Sequence, residues 1–349
     1  LRRVLPAIGL FFLSPLVAEY LLGDLPITGL AGLIVLAPLY GGGAVLIREL
    51  CRRRGWGWPS MIILALAYGV GEEGLLTQSL FNPDWGGRHL NAYGFIPGLG
   101  IGGPWTLFVL TLHMVWSIAV PIAFAELLTP ERGSTPWLGR VGVMITTVLI
   151  IFGAVAITIS TYRQNQFLAT PAQLVATALV IVALVGSAVL LGRRHRARAE
   201  RAEWAKRAEW AERAGRVPPA WLLGLLSLVV TSVVLTTWYH ARDVIPAWGY
   251  VALVAGCQLV AAPLVLIWSG LRAWTPWHLL ALASGALLTY AWTGFVSSHL
   301  LTPTSAAVAL ISHLVFGLGA VALIMITALR LRRTTRSGAP LGRSVPVEA

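Results

Sequence analysis

The sequence predicts an all-α polytopic membrane protein of about ten transmembrane helices with both termini cytoplasmic, and three observations carry that prediction. Only 11% of the 349 residues are charged while 57% are hydrophobic, whereas a soluble domain needs about a quarter charged residues to cover its surface. Apolar runs of about 20 residues, the length an α-helix needs to cross about 30 Å of hydrocarbon, recur along the chain. The basic residues gather in alternate connections, as the positive-inside rule describes. This composition excludes a soluble globule, a disordered chain, a disulfide scaffold and a collagen-like rod.

In order, the runs cover 4–22, 27–47, 59–81, 104–128, 140–161, 171–192, 219–239, 246–268, 276–299 and 304–329. Pro59, Pro104, Pro171, Pro219, Pro246 and Pro276 stand at or near the start of six of them, where the missing N–H costs nothing. With the N-terminus inside, 23 of the 26 basic residues fall on one side, and Arg88, Arg163 and Arg242 on the other. The net charge of +12 is therefore a topology signal. Its expected partners are the bilayer and its anionic headgroups, with no role for nucleic acid.

Four regions follow: a six-span block over 1–192, a basic cytoplasmic helical connector over 193–218, a four-span block over 219–330 and a basic, disordered tail over 331–349. The connector repeats RAEWAK as RAEWAE, pairing Glu203 with Arg207 and Glu209 with Arg213 at helical spacing. Trp204 and Trp210 fall about 240° apart on that helix and form no single apolar stripe. No cleavable signal peptide is expected. Two cysteines, Cys51 and Cys257, imply no disulfide framework.

Ionisable groups deep in a span cost at least about 2.5 kcal/mol each, so they are functional candidates by default. Glu72 and Glu73 lie in AYGVGEEGLLTQSLF, with Glu73 nine residues before Asn82 and so about 13 Å inside the outer end. His113, nine residues after Pro104, and His313, nine after Thr304, share that depth of about 13 Å. Gly71 and Gly74 bracket the carboxylates and admit another helix, water or a substrate backbone. Consecutive helical positions diverge by about 100°, so one glutamate is expected to work and the other to hold a structural hydrogen bond or a proton. Ser117 lies one turn after His113, and Pro121 frees a backbone carbonyl inside the membrane. Glu19 joins the same outer cavity, and His299 sits at the boundary. The glycine-rich connection from Asn82 to Gly103 reads as a lid or re-entrant segment over this polar layer. At the inner end, Glu126 is expected to pair with the cluster of Arg48, Glu49 and Arg52 to Arg54. HExxH, CxxC, Walker A and GxGxxG motifs are absent.

The Glu pair in its setting, followed by His113, partly resembles the CPBP family of CAAX-processing and bacteriocin-processing intramembrane proteases over residues 66–120. That family's Arg, five residues after the first Glu, is Thr77 here; its Phe, four before the His, is Val109, with Phe108 beside it. A third motif drawn on His313 has Gly317 where Asn is expected. The resemblance implies a glutamate-dependent intramembrane peptidase acting on a peptide or membrane-protein substrate. Glu72 or Glu73 would then be the general base, with His113 and His313 orienting water or stabilising the oxyanion. The residues themselves equally suit a proton- or cation-coupled transporter, a metal site with ligand distances of about 2 Å, or a non-catalytic membrane subunit. No cofactor is specified.

Overall fold

The computed structural model describes residues 3–206, 216–271, 273–301 and 304–336. Among them ten helices follow one another: α1 (Leu5–Leu21), α2 (Ile27–Arg54), α3 (Trp58–Leu76), α4 (Gly103–Leu127), α5 (Arg140–Asn165), α6 (Pro171–Ala197), α7 (Ala220–Ala241), α8 (Ala247–Ser269), α9 (Pro276–Ser297) and α10 (Ala306–Thr335). The last nine are long and apolar enough to cross a membrane, and α1 is a shorter helix of the same character. The chain is an all-α, multi-pass membrane protein. Helical backbone continues from α6 through Lys206, so the first part of the basic connector extends α6. The expectations for the side chains of Glu203, Trp204, Arg207, Glu209, Trp210, Arg213 and His299, and for the tail beyond 336, lie outside the described residues.

Burial separates a central set of helices from a peripheral one. About half to two-thirds of the most apolar stretch is buried in α2, α3, α4 and α9 (50–67%), against 6–11% in α5, α6 and α8. The peripheral helices expose Val, Leu and Ile along most of their length, a surface suited to lipid. One core crosses the boundary between the two expected blocks. Trp116 of α4 stacks on Tyr290 of α9 at 4.4 Å between ring centroids and donates its indole N–H to the Ala286 carbonyl at 2.7 Å. Phe108 of α4 stacks on Trp238 of α7 at 4.6 Å.

At the arginine-rich end, a buried ionic clasp fixes α2 to α4. Arg48 Nε lies 3.0 Å from Glu126 Oε1, and Arg52 Nη2 2.6 Å from Glu126 Oε2. Arg48 also pairs with Glu49 at 3.0 Å and stacks over the Trp137 ring at 3.3 Å. Glu49 in turn accepts the backbone N–H groups of Trp137 and Leu138, which ties the segment entering α5 to the same point. The expected pairing of Glu126 with this cluster is what forms.

The connection between α3 and α4 is built rather than loose. It contains a short antiparallel pair, Phe95–Ile96 with Ile101–Gly102. The buried Asn91 amide donates to the Ser79 and Asn82 carbonyls, and its oxygen accepts the Gly102 N–H. Asn91 thereby fastens this connection to the end of α3.

Candidate functional site

Five turns of π geometry interrupt the helices among the described residues: Leu16–Leu21, Ala37–Gly41, Glu72–Leu76, His113–Ala119 and Thr237–Ala241. Such turns admit an extra residue and re-aim the side chains around them, often at functional sites. Four of the five carry Glu19, Tyr40, the Glu pair and His113.

Two prolines help to build this region. Pro15 has no N–H for the Phe11 carbonyl four residues earlier. Gly41 of α2 crosses at that point, so closely that a Cβ there would collide with the Phe11 oxygen. Pro121 likewise leaves the Ser117 carbonyl without its helical partner, and Ser14 of α1 donates its hydroxyl to it at 2.6 Å. The freed carbonyl expected from Pro121 thus becomes an interhelical tie beside His113.

His113 stands between the two carboxylates. Its Nε2 lies 2.7 Å from Glu73 Oε1 and its Nδ1 3.3 Å from Glu72 Oε2. Glu73 Oε2 accepts the hydroxyls of Thr77, at 2.9 Å, and of Ser79. Ser79 also accepts the Trp105 indole N–H at 3.2 Å. Both oxygens of Glu73 are therefore engaged, and a carboxylate only accepts, so Nε2 is assigned as the donor. Nδ1 then accepts from the Ser117 hydroxyl at 3.3 Å.

Glu72 has a different environment. Its Oε2 and the Tyr68 hydroxyl are both buried without a hydrogen-bond partner, although the Tyr40 and Tyr68 hydroxyls lie on its side. The rings of Tyr40 and Tyr68 flank the His113 imidazole at 5.9 and 6.2 Å. Gly69 lets α3 come this close, since a Cβ on it would lie 3.0 Å from the His113 Cβ. Both glutamates thus reach one imidazole despite being consecutive, the π turn beginning at Glu72 itself.

Glu19 and Asp24 extend the polar region. Glu19 faces Tyr40, Glu72, Glu73 and His113, and Asp24 faces Glu19 and Arg88. Both are half-buried. Burial, and then the neighbouring Glu19, push the Asp24 carboxyl up to about 8.

His313 stands outside this cluster. Its ring packs on Phe295 at 5.2 Å between centroids and against Gly23 and Gly294, with Nδ1 unpartnered. Depth along a helix sets a layer but not an azimuth, and α10 turns this residue toward α1 and α9. Gly71 and Gly74 face α6, meeting Ile181 and Thr177, so of the approaches expected there the one found is that of another helix.

Glu72, Glu73 and His113 are also the one group among the described residues whose His, Cys or carboxylate ligand atoms converge, all within 4.8 Å. That donor set suits a borderline divalent ion. In the present geometry, however, the two carboxylates engage opposite ring nitrogens, whereas a shared metal needs them gathered around one.

Residues 9–337 match an uncharacterized membrane protein family. The chain belongs to that family. No curated protein and no solved structure matches it. The segment shared with this membrane protein family reaches into all ten helices and contains Glu19, Tyr40, Tyr68, the Glu pair and His113.

Tyr40, Tyr68 and Asp24 were not singled out from sequence. Tyr68 precedes Glu72 by four residues and so shares its helical face, a signal that was available. Tyr40 reaches the site only through the packing of α2 against α3, which no local pattern encodes.

Proposed function

We propose that this multi-pass protein is an intramembrane hydrolase of peptide bonds, resident in the cell membrane, with Glu72 as general base. The reading rests on one observation: Glu72 Oε2 and the Tyr68 hydroxyl are buried on the same side of the site, neither oxygen satisfied by a hydrogen bond, beside a His113 held on its far side by Glu73. A water hydrogen-bonded to Glu72 gives up a proton to it as its oxygen attacks the scissile carbonyl carbon. The carbonyl electron pair moves onto oxygen, where the Tyr68 hydroxyl donates to the oxyanion. Collapse breaks the C–N bond, and Glu72 returns the proton to the leaving nitrogen. Glu73, fixed by Thr77 and Ser79, orients His113, whose Nδ1 lies close enough to Glu72 to share that proton.

The resemblance to CPBP proteases supports the same assignment, with Thr77 in place of the family's Arg. His313 packs on Phe295, Gly23 and Gly294 instead, and it is left out of the mechanism.

A second reading, a proton- or cation-coupled carrier, is favoured by two further half-buried carboxyls, Glu19 beside the Glu/His cluster and Asp24 beside Glu19 and Arg88. Purified protein in sealed vesicles, assayed in parallel for cleavage of a membrane-inserted peptide and for proton flux, separates the two. Cleavage lost in Glu72→Gln supports the hydrolase. Flux without cleavage supports the carrier, and neither activity supports a non-catalytic subunit.

A further inference from the structure

A second polar cavity, of about 330 Å³, opens at the arginine-rich end of the bundle, away from the Glu/His cluster. It lies where the start of α1 at Pro6, the turn after α4 and the last turns of α10 meet. Thr129, Glu131, Arg132, Arg330, Arg333 and Thr334 supply its polar lining. Three guanidiniums against one carboxylate leave a formal charge of +2.

The cavity is built from anchored parts. Arg330 donates to the Leu128 carbonyl at 2.8 Å, closing the end of α4. Arg132 donates to the Arg3 carbonyl at 3.0 Å, which brings the start of α1 to the same point. The Thr129 hydroxyl returns to the Ala125 carbonyl at 2.8 Å. The helix ends that frame the cavity are therefore held together before any ligand arrives.

Its setting distinguishes a lipid from a soluble anion. Directly toward the apolar side, α10 exposes Met325, Ile326 and Leu329, and α1 exposes Leu5, Ile8 and Phe12. A basic cavity at the level where spans end, continued by two exposed apolar helix faces, matches a molecule with a phosphate at one end and acyl chains at the other. Basic pockets between transmembrane helices recognise anionic headgroups in this way.

We propose that this cavity binds the headgroup phosphate of an anionic glycerophospholipid, with Arg132, Arg330 and Arg333 around the phosphate and the acyl chains along α1 and α10. The proposal is independent of the chemistry at Glu72.

Native mass spectrometry of the full-length chain in detergent tests it, using phosphatidylglycerol and phosphatidylcholine of matched acyl chains in competition, with inorganic phosphate as a separate arm. The expected result is a preference for phosphatidylglycerol of at least about fivefold, cut about fivefold by Arg333→Gln, the effect of one surface arginine. The same preference should be unchanged by Arg163→Gln at the far end of α5. Equal binding of the two lipids by the wild type overturns the proposal without relying on any variant. Displacement of phosphatidylglycerol by inorganic phosphate at equal concentration also overturns it, in favour of a soluble-anion site.

Discussion

Glu73 Oε1 and His113 Nε2 lie 2.7 Å apart although 40 positions separate the two residues. The contact joins α3 to α4 inside the apolar part of the bundle and divides the Glu pair by role. Glu73 spends its acceptors on His113, Thr77 and Ser79, while Glu72 keeps an oxygen without a partner.

That division predicts different stability effects for two isosteric changes. Glu73→Gln replaces an acceptor with an N–H₂ group facing donors, at a cost of about 1–3 kcal/mol for a buried unsatisfied group. Glu72→Gln changes a carboxylate of which one oxygen has no hydrogen-bond partner, and should leave stability little changed. Thermal unfolding of the two variants in one detergent should show a lowered midpoint for the first alone.

Tyr68→Phe deletes a buried hydroxyl that faces Glu72 without a well-formed hydrogen bond. Its unfolding midpoint should match the wild type. Turnover of a cleavable peptide should fall by about 100-fold, the typical loss of one oxyanion donor. A variant with full turnover would remove Tyr68 from the mechanism.

At the other end of the bundle, Glu126→Ala strands Arg48, which has no exposed surface, and frees Arg52 from its carboxylate. Breaking a buried pair from one side costs about 3–5 kcal/mol, with Glu49 and the Arg132 and Gly133 carbonyls retaining part of the compensation for Arg48. We expect the low end of that range, read as a lower unfolding midpoint and earlier proteolysis around Trp137.

Gly41→Ala should be among the most damaging methyl additions in the chain, because its Cβ would collide with the Phe11 carbonyl oxygen. The backbone of α1 or α2 must then move, for which overpacking costs of about 1–3 kcal/mol or more are typical. Gly186→Ala, with nothing within 4 Å, should be neutral or slightly stabilising through helix propensity. Comparing the folded yield of the two variants checks the crossing of α1 and α2.

Asp24 gives the stability a pH dependence whose sign follows from its environment. Burial holds its carboxyl at about 8 in the folded chain, above the unfolded value of about 3.9. Between these values the folded state binds more protons than the unfolded one, so this contribution is full below about pH 4 and is lost as pH rises toward 8. Asp24→Asn should flatten the unfolding midpoint over that window relative to wild type.

The helices were legible because each must solve the same problem alone, covering hydrocarbon with about 20 apolar residues. Buried glutamates and histidines stand out against such a background, which is how Glu72, Glu73 and His113 were found. Azimuth was not legible: His313 has the depth of His113 yet packs on Phe295 and Gly23. Nor were the π turns, since the register change that lets consecutive glutamates reach one imidazole has no composition of its own. Pro15 and Pro121 hint at it, and the neighbours of the carbonyls they free, the Gly41 backbone and the Ser14 hydroxyl, become visible only once α1 packs on α2 and α4.

Cleavage of a membrane-inserted peptide by the wild type and by Glu72→Gln, in vesicles and with both proteins shown to be folded, tests the central claim most directly. The proposed chemistry predicts cleavage by the wild type and a loss of at least about 100-fold in the variant, the lower range for removing a general base. Equal cleavage by both proteins, or none by a folded wild type across a panel of inserted peptides, would contradict it.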